Sequence, residues 1–210
     1  MDNLTHSLIG AVLGQAGLKR RTGLAMPALI IAANLPDIDA PCTIYGVESL
    51  AMRRGLTHGP IALVVLPLLL AGLLILFDRW QARRGSRPEA RLPVRPGWLV
   101  TLCYIGALTH PAFDWLNSYG IRLLEPFSSQ WFYGDALFIV DPWLLALLGM
   151  GLWASRRREV RSAPQPFRPA RAAIVGVLAY VAVNLAISAN AVAQVRRILP
   201  PASMIVANPV

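Results

Sequence analysis

Residues 59–77 read GPIALVVLPLLLAGLLILF, a run of nineteen residues without a charged side chain. A helix of this length rises about 28 Å, close to the ~30 Å hydrocarbon core of a bilayer. Three further segments, 98–116, 136–154 and 172–193, also approach spanning length. We therefore predict an all-α fold, a polytopic integral membrane helical bundle with four spanning helices.

The composition of the whole chain agrees with a membrane protein. Of the 210 residues, 55% are hydrophobic and only 15% are charged, and the mean hydropathy is +0.50. Soluble domains carry about 25% charged residues. So much apolar surface with so few charges excludes an ordinary soluble domain and intrinsic disorder. The two cysteines lie far apart without metal-type spacing, so they indicate neither a disulfide framework nor a thiolate site.

Two shorter apolar stretches, 4–18 and 24–35, precede the four segments. Each reaches only about 18–22 Å, so we expect a tight helical pair or re-entrant helices packed against the others. Gly10 and Gly14 belong to a small-residue pattern that lets helices approach closely. The predicted domains are a membrane-embedded helical domain over 1–195 and an extracytoplasmic segment over 196–210. That segment is either a short tail or the start of a further C-terminal domain.

The basic residues are concentrated in three connections. Residues 19–21, 79–95 and 156–171 hold fifteen of the twenty basic residues, with three acids in or beside them, for a net charge of +12. The other connections hold five basic and eight acidic residues, a net charge of −3. Because cytoplasmic loops of membrane proteins are enriched in Lys and Arg, we expect the basic connections inside the cell and the acidic ones outside. The overall charge of +9 then reports multi-pass topology in a bacterial inner membrane, and no nucleic-acid partner is predicted.

Titratable residues gather at the predicted outer ends of the apolar segments. Every histidine of the chain lies there, together with three carboxylates. These six candidate metal ligands are His6, Asp37, Asp39, His58, His110 and Asp114. Asp114 follows His110 by four residues, so the two share one helical face. Ionisable groups at membrane depth are costly and tend to mark functional sites.

A mixed set of imidazole and carboxylate groups favours a transition-metal site. It suits Zn²⁺ first, with Mn²⁺ or Fe²⁺ as alternatives, better than Ca²⁺ or Mg²⁺. Six ligands exceed what one open catalytic ion needs, so the site can hold one or two ions. Each feature alone has a simpler interpretation. A lone histidine at a helix end is more often a cap, a His-x-x-x-Asp pair is more often an ion pair, and Asn34-Leu-Pro-Asp37 matches turn chemistry.

Further polar residues of the same outer face complete the predicted site. Asp39 and Asp114 are the candidate catalytic residues, as general base. Asp135 and Asp141 are candidates to orient the imidazoles, with helix capping beside a proline as the alternative. The predicted substrate-binding residues, chosen because guanidinium pairs with phosphate and because Tyr and Asn can hydrogen-bond a substrate, are Arg54, Arg122, Tyr119 and Asn117.

Several short motifs follow one another over most of residues 1–145. They are Thr5-His6-Ser7, Asn34-Leu-Pro-Asp37-Ile-Asp39, Arg54-Gly-Leu-Thr57-His58, His110-Pro-Ala-Phe-Asp114, Asn117-Ser-Tyr119-Gly120, Pro126-Phe127-Ser128 and Asp141-Pro142. As a set they resemble the LexA-binding, inner-membrane-associated metal-dependent hydrolases of bacteria. The resemblance implies an integral membrane protein whose six His and Asp candidates hold the metal. It also implies LexA as a cytoplasmic protein partner, although no residue of the basic loops is specific to such a partner.

Taken together, these features predict a membrane-bound, metal-dependent hydrolase that cleaves a phosphate or other ester bond at the extracytoplasmic face. We expect a membrane lipid, a lipid-linked molecule or a small molecule as its substrate. Two alternatives remain, a transporter and a regulatory adaptor with a structural metal site. Transport is disfavoured because the inner halves of the spans contain almost no ionisable group that could form a relay. An adaptor would use its basic loops to contact an acidic protein or anionic headgroups.

Overall fold

The computed structural model describes residues 1–39 and 54–198. Within these ranges the chain is all-helical, without a named strand, which confirms the predicted fold class there. Residues 199–210 of the predicted tail lie outside the described residues. The helices are α1 (Asn3–Gln15), α2 (Ala25–Asn34), α3 (Pro60–Arg83), α4 (Pro96–Trp115), α5 (Pro142–Val160) and α6 (Arg168–Val195).

Two of the described helices, α3 and α6, have the length and composition of a membrane span, so the prediction of four spanning helices is wrong. Helix α4 has twenty residues, but the polar His110 and Asp114 interrupt its apolar character. Helix α5 begins at Pro142 instead of residue 136 and ends in a charged turn. The apolar part of α5 is therefore only residues 142–154, about 20 Å long.

The two short helices α1 and α2 form the close pair that the sequence predicts. Gly10 of α1 and Gly106 of α4 both approach the Leu29 carbonyl, so α2 lies between α1 and α4. An added Cβ atom would lie 2.7 Å from that oxygen at Gly10 and 2.8 Å from it at Gly106. Both distances are shorter than real Cβ contacts, so a larger residue would force the helices apart. His6 and His110 each lie four residues from one of these glycines, so the same close approach brings the two histidines together.

The helices pack in the order α3, α4, α2, α1, α5, α6. One apolar cluster joins α2, α3 and α4, and another joins α1, α5 and α6. Helices α3 and α6 direct large apolar side chains outward, such as Leu73 (64% exposed) and Leu178 (63% exposed). Continuous apolar surface of this kind is costly in water and favourable in lipid, which agrees with membrane insertion.

Arginine side chains stack on aromatic rings near the basic ends of the helices. Arg84 lies over Trp80 at 4.7 Å, Arg21 over Trp98 at 4.8 Å and Arg157 over Trp153 at 5.1 Å from the ring centroid. Tryptophan and arginine together are typical of the membrane–water interface. The candidate site lies near the opposite helix ends, because His6 lies in the first turn of α1 and His110 lies within the last two turns of α4.

The connection between α4 and α5 folds back over the end of α4. The Leu116 carbonyl accepts hydrogen bonds from the amides of Ala136 (2.8 Å) and Leu137 (2.9 Å). Ile121 and Phe132 exchange two backbone hydrogen bonds of 2.9 Å. This connection lies at the histidine-bearing end of the bundle and contributes Tyr119, Trp131 and Ile139 to the cavity there.

Candidate metal centre

Five of the six predicted ligands converge at one buried point. His6 comes from α1, Asp37 from the turn after α2, His58 from the turn before α3, and His110 and Asp114 from α4. The three histidines are fully buried and Asp114 is 1% exposed. Two overlapping groups have ligand atoms within 4.8 Å of one another, one with His6, Asp37 and His110 and the other with His58, His110 and Asp114.

The separations within the cluster match those of groups that share an ion. The Nε2 atoms of His58 and His110 are 3.1 Å apart. Asp114 Oδ2 lies 3.5 Å from the His110 nitrogen and 3.6 Å from that of His58. Asp37 Oδ1 lies 3.5 and 3.8 Å from the same two atoms. Two ligands each about 2.1 Å from one zinc ion at a tetrahedral angle are about 3.4 Å apart, so the residues present fit a divalent metal.

The outer hydrogen bonds of two histidines fix which ring nitrogen carries the proton. His110 Nδ1 lies 2.7 Å from the Ala33 carbonyl, which can only accept, so His110 donates from Nδ1. His58 Nδ1 lies 2.9 Å from the Thr57 hydroxyl, whose own proton goes to Asp39 Oδ2 at 2.8 Å. The two Nε2 atoms face each other and two carboxylates. Burial acts to lower the pKa of His110, but the hydrogen bonds with Asp114 and Asp37 outweigh it and raise that pKa to about 9, so without a bound ion the His110 Nε2 also carries a proton.

His6 is the third buried imidazole and has no hydrogen bond on either ring nitrogen within the described residues. Its ring stacks on His110 with centroids 3.8 Å apart, and its Nε2 lies 3.4 Å from Asp114 Oδ1. Burial lowers the pKa of His6 to about 4, so it is neutral at pH 7. Asp114 Oδ1 faces His6 and also contacts the Met1 amino group. Asp114 Oδ2 faces the other two histidines.

Asp39 is the predicted ligand that the structure places apart from this cluster. Its Oδ2 accepts hydrogen bonds from Thr57 Oγ1 and from the Arg54 amide (3.1 Å). It lies 3.8 Å from His58 Nδ1, on the outer side of that ring. This position allows Asp39 to orient Thr57, and its roles as ligand and general base stay predictions.

Arg54 lies between the cluster and a cavity of about 480 Å³. Its Nε is 3.6 Å from Asp114 Oδ2, and its Nη1 donates to Asn117 Oδ1 and to the Gly120 carbonyl, both at 3.1 Å. Its guanidinium lies 5.3 Å from the ring centroid of Tyr119. Asn117 is fully buried, so it holds Arg54 and does not face the cavity. The cavity is lined by Met1, Asp2, Asn3, Asp37, Arg54, Tyr119, Trp131 and Ile139.

Three other predicted site residues lie elsewhere. Arg122 pairs with Glu125 at 3.6 Å and stacks over Trp131, so it borders the cavity through that ring. Asp135 lines a separate cavity beside the C-terminal part of α6. Asp141 caps α5 by accepting from the Leu144 amide at 2.9 Å and also accepts from the Tyr180 hydroxyl at 3.0 Å. The alternative of helix capping therefore describes Asp141.

Sequence reasoning missed several groups that contact the cluster or its opening, among them the Met1 amino group. The Ala33 carbonyl carries no sequence signal. Trp131 lines the cavity in a connection without regular structure. Thr57 did carry a signal, because each histidine of the chain follows a threonine.

Comparison with known proteins gives one informative result. No curated protein matches the chain, and no solved structure matches it. A family model described as YdjM inner membrane protein matches residues 1–191. Because this match covers most of the 210 residues, the chain belongs to the YdjM inner membrane protein family.

Proposed function

We propose that this chain is a membrane-bound, metal-dependent hydrolase that cleaves a phosphate or other ester bond of a lipid or lipid-linked substrate at the extracytoplasmic face. The observation that supports this proposal most directly is that several hydrogen-bond acceptors meet at one buried point. Two imidazole Nε2 atoms 3.1 Å apart face two carboxylates, and a third imidazole has no hydrogen-bond partner among the described residues. Buried acceptors repel one another unless positive charge lies between them. A shared proton would satisfy one pair, whereas a divalent ion would satisfy the whole set.

The donor set supports zinc, with manganese or iron as alternatives. His58, His110 and Asp114 Oδ2 would hold one ion. His6, which shares the other overlapping group with His110, would contribute to a second. A bound divalent metal lowers the pKa of water and polarises a phosphoryl or acyl oxygen.

Residues of the chain itself would bind the substrate and move a proton. Asp37 is the carboxylate that both faces the imidazoles and lines the cavity, so we assign it the general-base role. Arg54, held by Asn117 and Gly120, would neutralise a phosphate oxygen beside Asp114. Because its guanidinium is already fixed, little side-chain entropy is lost on binding.

An amphiphilic substrate is supported by the lining of the cavity. Tyr119 (57% exposed) and Trp131 (37% exposed) present amphipathic rings at its opening, beside the Arg54 cation. Such rings are typical of the headgroup level of a bilayer. The basic connections lie at the opposite helix ends, which supports an extracytoplasmic position for the site by the distribution of charge.

The test is hydrolysis of a panel of phosphate-ester lipids and lipid-linked phosphates by the purified chain in detergent, with and without added Zn²⁺. We expect metal-dependent turnover that His58→Ala and Asp114→Ala abolish, while the control Thr101→Val retains it. Thr101 donates its hydroxyl proton to the Gly97 carbonyl on α4, away from the site. If the wild type shows no turnover and both site variants fold in detergent as the wild type does, the result would favour the adaptor alternative.

A further inference from the structure

The Thr57 hydroxyl connects a buried carboxylate to a histidine of the candidate site. Thr57 Oγ1 lies 2.8 Å from Asp39 Oδ2 and 2.9 Å from His58 Nδ1. A hydroxyl has one proton to donate, and an ionised carboxylate can only accept. The proton therefore points to Asp39, and the remaining contact requires His58 to donate from Nδ1.

We propose that Thr57 is a positioning residue, which Asp39 orients and which fixes His58 in the tautomer whose bare Nε2 faces the candidate metal site. This inference rests on the proposed function in one respect, that a metal is what Nε2 binds. Without the hydroxyl, the neutral imidazole could carry its proton on Nε2 and point it at His110 or Asp114. A protonated Nε2 is not a metal ligand.

Asp39 is itself fixed, which gives the chain of hydrogen bonds a defined direction. It is 7% exposed, and its Oδ2 also accepts from the Arg54 amide at 3.1 Å. Asp39 lies beyond the outer nitrogen of His58, at 3.8 Å, so it acts on the ring through Thr57. His110 has the equivalent constraint from the Ala33 carbonyl, so two imidazoles are fixed by different acceptors.

Thr57→Val removes the hydroxyl at nearly constant volume, and Thr57→Ser restores it. Thr101→Val is the matched control, because the Thr101 hydroxyl donates to the Gly97 carbonyl of its own helix. The first readout is the ¹⁵N spectrum of the imidazoles in the metal-free full chain, with the His58 signals identified by their loss in His58→Gln. The second is the affinity for Zn²⁺ alone.

We expect wild type, Thr57→Ser and Thr101→Val to carry the His58 proton on Nδ1, and Thr57→Val to populate the other tautomer. Zinc affinity should fall about 10–100-fold in Thr57→Val only, as is usual when a group that orients a ligand is lost. An unchanged His58 tautomer in Thr57→Val would overturn the inference even if the chain binds zinc. A shifted tautomer in a chain that binds no zinc would support the positioning role and refute the metal-dependent function.

Discussion

Replacing Gly106 with alanine places a methyl group against the backbone of α2. The new Cβ would lie 2.8 Å from the Leu29 carbonyl oxygen and 2.8 Å from the Ala32 Cβ. Ordinary contacts begin near 3.4 Å, so α2 must retreat by about 0.6 Å or the two helices must deform. Such overpacking costs about 1–3 kcal/mol.

The matched control is Gly72→Ala on α3, where a Cβ would meet no atom within 4 Å. Both substitutions gain the same helix propensity of about 1 kcal/mol, which cancels in their difference. For a chain of this size, 1–3 kcal/mol corresponds to a Tm difference of about 2–12 °C. Thermal unfolding in detergent, followed by circular dichroism, measures that difference.

The same retreat would disturb the candidate site, because Ala33 on α2 accepts the 2.7 Å hydrogen bond from His110 Nδ1. We therefore expect Gly106→Ala to bind Zn²⁺ more weakly and Gly72→Ala to bind it as the wild type does. Equal Tm values for the two variants would refute the packing of α2 between two glycines. A lower Tm with unchanged zinc affinity would refute the link between that packing and His110.

Two further predictions concern residues outside the metal cluster. Asp141→Ala removes the N-cap of α5 and should lower stability by about 0.5–2 kcal/mol, with a smaller loss for Tyr180→Phe. Zinc content should stay unchanged in both variants. A loss of zinc from Asp141→Ala would instead support the prediction that Asp141 orients the imidazoles of the site. Burial acts to raise the pKa of Glu159, but the hydrogen bonds from Lys19 and Gln15 and the charges of Lys19 and Arg156 together outweigh it, so the net pKa is lowered. A lowered pKa stabilises the fold above the ordinary value of 4.5 and loses that effect as pH falls through the lowered pKa. Glu159→Gln should therefore cost at most about 1 kcal/mol at pH 7 and nothing well below pH 4; an equal cost at both pH values would contradict the ion pair.

The sequence was sufficient for the helical class because apolar runs of spanning length identify helices directly. It misplaced the start of α5, because residues 136–140 are apolar yet form an irregular segment. That segment is tied to Leu116 by two backbone hydrogen bonds. Hydropathy does not distinguish an apolar loop from a helix. Asp141 followed by Pro142 is a helix-start signal, but the apolar run before it outweighed that signal.

The sequence predicts the site geometry where residue spacing determines which way the side chains point. It does not predict that geometry where tertiary packing determines the direction. His110 and Asp114 are four residues apart on one helix, so their common face followed from the sequence. Asp37 and Asp39 are two residues apart in a 3₁₀ segment, so their side chains leave on different sides. Asp37 therefore reaches the cluster and Asp39 reaches Thr57, a division that depends on backbone geometry.

The central claim, that the buried histidines and aspartates hold a divalent metal, is tested most directly by metal analysis of the purified full chain beside His110→Ala. His110 belongs to both overlapping ligand groups, so its loss should affect every ion that the cluster holds. We predict that each wild-type chain holds one or two divalent ions, with zinc as the preferred ion. Folded His110→Ala should hold little or none. Equal metal content in the two proteins, or none in the wild type, would contradict the account.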